Sequence, residues 1–172
     1  MLMHPFVVIV ILVVIAGLGA LVVRRFARRT ATLPQEFAST QEMMEWLAGE
    51  AVDIAAKNGV TGLDYSPDSI QKVEEVLGKL HEEYKRAHSD AGYNGLASAF
   101  GAYLGECIRR TDQGSKWERD HPAMGEKSYP LHWRGGGSFP MAWCYKRITN
   151  GPEDNVWHKY AVLKASRDSL AK

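Results

Sequence analysis

Phe100-Gly101-Ala102-Tyr103-Leu104-Gly105-Glu106-Cys107-Ile108-Arg109-Arg110 is the stretch from which the architecture can be worked out. It belongs to a helix running from about Asn94 to Arg110. Leu96, Phe100, Tyr103, Leu104 and Cys107 recur at helical spacing and make one bulky face. Ala97, Gly101 and Gly105 repeat every four residues on another side. A glycine inside a helix costs about 1 kcal/mol against alanine, so a compensating contact is required. Close approach of a neighbouring backbone supplies one. A helix with a large face and a bare face is expected to be central, packed on both sides.

Two helices precede it. Ser39-Thr40-Gln41-Glu42 has the capping-box pattern, with Ser39 as the cap and Glu42 reaching back. Met44, Leu47, Ala48, Ala51, Ile54 and Ala55 then form an apolar stripe that stops at Asn58-Gly59. Leu63-Asp64-Tyr65 reads as a brief extended piece. Ser66-Pro67-Asp68 opens the next helix, with a cap and a proline at the first position. Ile70, Val73, Leu77, Leu80 and Tyr84 are its buried face, and Glu74, Glu75, Lys79, Glu82 and Glu83 lie on a solvated one.

After Asp112-Gln113-Gly114 the period changes. Lys116-Trp117-Glu118-Arg119 and Tyr129-Pro130-Leu131-His132-Trp133 alternate with period two and read as strands. Gly135-Gly136-Gly137 reads as a flexible turn. Phe139-Pro140 begins a fourth helix, ended by Asn150-Gly151, and a fifth starts at about Glu153. The fold class is therefore α+β and mostly helical: about five helices and a small antiparallel sheet against the central helix.

The N-terminus has a different character. From Phe6 to Val23 every residue is apolar or glycine. About 19 residues of helix span roughly 28 Å, close to the roughly 30 Å of a bilayer's hydrocarbon core. A transmembrane anchor is expected at residues 5–23. A secretory signal would need a basic start and a small-residue cleavage site, and this run begins Met-Leu-Met-His and ends in arginines. Ile15-Ala16-Gly17-Leu18-Gly19-Ala20 imitates a dinucleotide-binding turn, but the third glycine would fall on Val22 and no second strand follows. The chain divides into an anchor with a basic flank (1–29), a linker (30–38) and a globular domain (39–172). Arg24, Arg25, Arg28 and Arg29 flank only the C-terminal end of the span, which places the domain in the cytoplasm and the N-terminus outside.

Charge narrows the function classes. Those arginines are four of the 21 basic residues, leaving 17 beyond position 35 against all 20 acidic ones. A net negative domain lacks the basic face of a nucleic-acid reader. Cys107 and Cys144 are widely spaced in apolar surroundings and read as buried, reduced thiols. No cofactor signature or metal spacing is present. His81 and His88 lie seven apart, not four, and read as surface residues of a charged face. Arg134-Gly135-Gly136-Gly137-Ser138 lacks the lysine of a phosphate-binding loop. Trp46, Trp117, Trp133, Trp143 and Trp157 mostly suit core or sheet positions.

The F-G-A-Y-L-G-E-C-I-R-R helix, Trp117 after it, and the run Phe139-Pro140 through Trp143, Lys146-Arg147-Ile148 and Asn150-Gly151 resemble a family of bacterial domains of unknown function. The resemblance covers roughly Leu63 to Leu163, with Gly101, Tyr103, Gly105, Glu106, Trp117, Pro140, Lys146, Arg147, Asn150 and Gly151 as matched positions. It implies one compact helix-plus-sheet domain and carries over no catalytic residue.

Glu106 is the polar residue of most interest. Arg109 and Arg110 follow at i+3 and i+4, the spacing of a bridging carboxylate. The functional expectation favoured by the residues is a membrane-tethered, non-catalytic binding, regulatory or toxin-protective module on the inner face of a bacterial inner membrane. Its partners would be the lipid bilayer, through residues 5–23, and a protein. The alternative is a tethered enzyme, of hydrolase type, in which folding brings His121 or His132 to Glu106.

Overall fold

The computed structural model describes residues 36–170 apart from 88, 113 and 135. The expected anchor at 5–23 and Arg24, Arg25, Arg28 and Arg29 lie outside the described residues. Among the described residues no helix is long and apolar enough to cross a membrane. The described residues are mostly helical, forming five α-helices and one three-stranded antiparallel sheet.

Helix α1 (Thr40–Lys57) starts where the capping pattern places it. Ser39 Oγ accepts from Glu42 N at 3.1 Å, and Glu42 reaches one residue beyond the cap, accepting from Ala38 N at 2.7 Å. Helix α2 (Ser69–Ala87) begins two residues after Pro67, the first helical position expected from the sequence. Residues 66–69 form a turn instead, with Ser69 N donating to Ser66 O at 3.1 Å. The piece Leu63-Asp64-Tyr65 forms no strand, and Tyr65 adopts a positive φ of 63°.

Helix α3 (Tyr93–Thr111) is the centre of the molecule: thirteen of its residues are buried, including Phe100, Tyr103, Leu104 and Ile108. It packs against α1 on one side and against α4 (Pro140–Thr149) on another. The two glycines are where close approach occurs. A Cβ on Gly101 would overlap the Met141 backbone at the start of α4, 2.6 Å from its nitrogen. A Cβ on Gly105 would run into the six-membered ring of Trp117. The bare face thus meets a backbone at one position, as expected, and an aromatic side chain at the next.

Strands β1 (Lys116–Trp117), β2 (Leu131–Trp133) and β3 (Gly136–Ser138) form the sheet in that order. The first two are shorter than the alternating patterns suggested. The glycine run, expected to be a turn, supplies β3: Gly136 and Gly137 pair with Trp133 and His132. Two residues suffice for the reversal, so the remaining glycines are free to pair.

Pro152–Asp154 forms a single 3₁₀ turn, and α5 (Val156–Leu170) follows it, slightly later than expected. A buried polar cluster ties α2, α4 and α5 together. Glu74 accepts from Arg147 Nε through one oxygen and from Val156 N through the other, at 2.9 Å. The second bond satisfies an orphan amide at the start of α5. Glycine at position 78 leaves room for the Arg147 guanidinium, 3.0 Å from where a Cβ would stand. His81, expected on a solvated face, is buried, with Nδ1 2.8 Å from the Ile148 carbonyl at the end of α4. His88, its expected companion, lies outside the described residues.

Candidate functional site

Glu106 is fully buried, and its carboxylate is surrounded by donors. Trp117 Nε1 donates to Oε1 at 2.9 Å, Gln41 Nε2 to the same oxygen at 3.1 Å, and Arg109 Nε to it at 3.0 Å. Arg109 Nη2 donates to Oε2 at 2.8 Å, and Arg110 Nε stands 3.8 Å away. Burial by itself would raise this carboxyl. The guanidinium and indole donors outweigh it, and they hold Glu106 below the usual carboxylate range.

The carboxylate is therefore an ionised strut. It joins α1 through Gln41, β1 through Trp117 and its own helix through Arg109. Arg109 also lies 3.3 Å from Glu45, extending the network to the surface of α1. Arg110 carries the arrangement in another direction, with its guanidinium 3.5 Å from the centre of the Tyr65 ring. That ring stacks on Tyr103 at 4.7 Å. The Tyr103 hydroxyl accepts from Tyr65 N at 2.9 Å and pairs with Ser69 Oγ at 2.6 Å. The i+3 and i+4 arginines were visible in the sequence. Gln41 and Trp117, which complete the set, come from other elements.

The histidines stand elsewhere. His132 Nε2 lies 3.2 Å from Glu118 Oε2, half-exposed on the sheet. His121 accepts from Ala123 N through Nδ1 at 3.2 Å and meets Phe139 edge-on at 5.3 Å. Neither is among the partners of Glu106. Among the described residues no group of three or more His, Cys, Asp or Glu side chains is placed to hold a metal ion. Cys107 and Cys144 are both buried free thiols, and burial pushes the Cys107 thiol up to about 12.

The tryptophans differ from the expectation that most would be core. Trp117 alone of the five is buried; Trp46, Trp133, Trp143 and Trp157 are half-buried. Trp46, Trp133 and Trp143 border two surface clefts. One, of about 200 Å³, lies where α1 meets α3 and is walled by Met43, Trp46, Leu47, Tyr129 and Met141. The other, of about 450 Å³, opens between β3 and α5 and holds Trp133, Trp143, Val162 and Leu163 among polar neighbours. Compared with known proteins, the chain matches no family model, no curated protein and no solved structure.

Proposed function

We propose that this protein is a membrane-tethered, non-catalytic binding module of regulatory or toxin-protective type. Its hydrophobic run at residues 5–23 anchors it in a bacterial inner membrane, and its folded domain lies in the cytoplasm. The chain's resemblance to bacterial domains of unknown function belongs to the same reading.

One observation carries the binding part. Large aromatic and apolar side chains sit half-buried along surface clefts, where a partner would complete their burial. The most suggestive carboxylate supports the same reading from the other direction. Glu106 makes five hydrogen bonds with Gln41, Arg109 and Trp117 and is closed to solvent. A general base needs a free lone pair within reach of substrate, and this one is committed to the fold.

Co-purification from mild detergent with the anchor intact tests the proposal. A stoichiometric protein partner, lost when surface residues of a cleft are changed, is the expected result. Recovery of the chain alone under conditions that preserve membrane complexes would count against it. Hydrolytic turnover abolished by Glu106→Gln in a folded protein would revive the enzymatic reading.

A further inference from the structure

The cleft between β3 and α5 has a free sheet edge as one wall. Strand order β1-β2-β3 leaves β3 paired on one side only. Its register, Trp133 with Gly136 and His132 with Gly137, closes a two-residue hairpin. In such a hairpin the pair next to the loop exchanges both hydrogen bonds, and the next pair faces outward. The N–H and C=O of Gly137 are thereby turned away from β2, toward the open edge.

Exposed edges are ordinarily blunted by charged side chains or proline. This one presents Gly136 and Gly137, both exposed and without side chains to keep another backbone away. Two further polar groups beside it lack a protein partner. Ser138, 5% exposed, has an unbonded hydroxyl, and the shielded Trp133 Nε1 has no acceptor. Both residues line the cleft. The opposite wall offers Val162, which is 68% exposed despite its apolar side chain. Charge at the rim favours a cation: Glu153 makes no ion pair among the described residues, whereas Lys159 is engaged by Asp154.

We propose that this cleft binds an extended peptide segment of a partner protein by strand addition to β3. Main-chain groups of the segment pair with Gly137. An apolar side chain packs against Trp133, Trp143 and Val162, and a basic residue lies near Glu153. A peptide suits this wall because it supplies donors and acceptors at strand spacing together with alternating side chains. The assignment deepens the binding reading and rests on it, but does not require the membrane anchor.

The test is a random-hexapeptide phage selection on the full-length chain in mild detergent, followed by titration of the enriched sequence as a synthetic peptide. Val162→Lys fills the cleft from an exposed position and leaves the core untouched. It is expected to lower affinity at least tenfold, with an unchanged circular dichroism spectrum. N-methylation of the peptide amide that pairs with Gly137 should do the same. The enriched sequences should place Lys or Arg beside an apolar residue.

Failure to enrich any sequence, equal binding by the N-methylated peptide, or unchanged affinity for Val162→Lys would overturn the assignment. Co-purification of a partner protein that is indifferent to Val162→Lys would overturn this cleft while leaving the binding reading in place. Absence of both peptide and partner would overturn the two together.

Discussion

Replacing Gly101 by alanine should destabilise the domain, although the same exchange elsewhere on a helix should stabilise it. Removing a helical glycine gains about 0.5–1 kcal/mol when the site is open. Gly49 on α1 is such a site, with nothing within 4 Å of an added Cβ. At Gly101 the added carbon lands 2.6 Å from Met141 N and closer still to its Cα. Backbone cannot rotate away as a side-chain end can, so α4 must shift relative to α3. Overpacking of this kind costs about 1–3 kcal/mol or more, which exceeds the propensity gain. The expected net loss is about 1–2 kcal/mol for Gly101→Ala and larger for Gly101→Leu. Urea melts of a chain lacking residues 1–30 measure it, with Gly49→Ala as an internal control of opposite sign. A midpoint unchanged or raised for Gly101→Ala, while Gly49→Ala rises, would refute the close-approach argument.

Truncating the Glu106 strut should cost about 3 kcal/mol, since Glu106→Ala removes the acceptor for three residues, one of them the buried Trp117 indole. Because the folded-state pKa of Glu106 is lowered, its contribution is present above the ordinary carboxyl value near 4.5 and fades as pH falls through the folded one. Acid melts of Glu106→Gln should therefore show a weaker loss of stability below that value than wild type; parallel curves would contradict the assignment. Cys107, with its thiol raised to about 12, should resist alkylation at pH 8 in the native state and react in urea, and rapid native labelling would refute its enclosure. For the proposed anchor, the full chain should resist carbonate extraction from membranes. A C-terminal reporter should behave as cytoplasmic, and neutralising Arg24, Arg25, Arg28 and Arg29 should weaken that orientation. Recovery in the soluble fraction would end the anchoring proposal.

The central helix, the caps and most apolar stripes were legible because they are local. Ser39 and Glu42 are three residues apart, and the bulky and bare faces of α3 follow from a period of 3.6 alone. Even the requirement that Gly101 meet something close followed from its propensity cost. What it meets did not, because Met141 lies forty residues further along.

Some misreadings have a common physical source. Polarity alone assigns Glu74 and His81 to a solvated face, yet each stands four residues beyond a buried one, Ile70 and Leu77. Spacing alone would have set them at the edge of the core. Only the docking of α4 and α5 brought Arg147, the Val156 amide and the Ile148 carbonyl to meet them. Polar residues can be buried when partners arrive from distant elements, and a single chain segment does not reveal those partners.

The glycine run 135–137 shows the same division. Glycine permits either a turn or a strand, and the pairing of Gly136 and Gly137 with β2 selected the strand. By itself, the sequence determined the helices, their caps, the charge asymmetry and the apolar N-terminal run, all properties of neighbouring residues. Tertiary structure decided that Glu106 is a closed strut, that its carboxylate is joined to Gln41 and Trp117, and that three tryptophans remain half-open at clefts. Those outcomes depend on which surfaces meet in space, and burial and hydrogen-bond partnership are fixed only there.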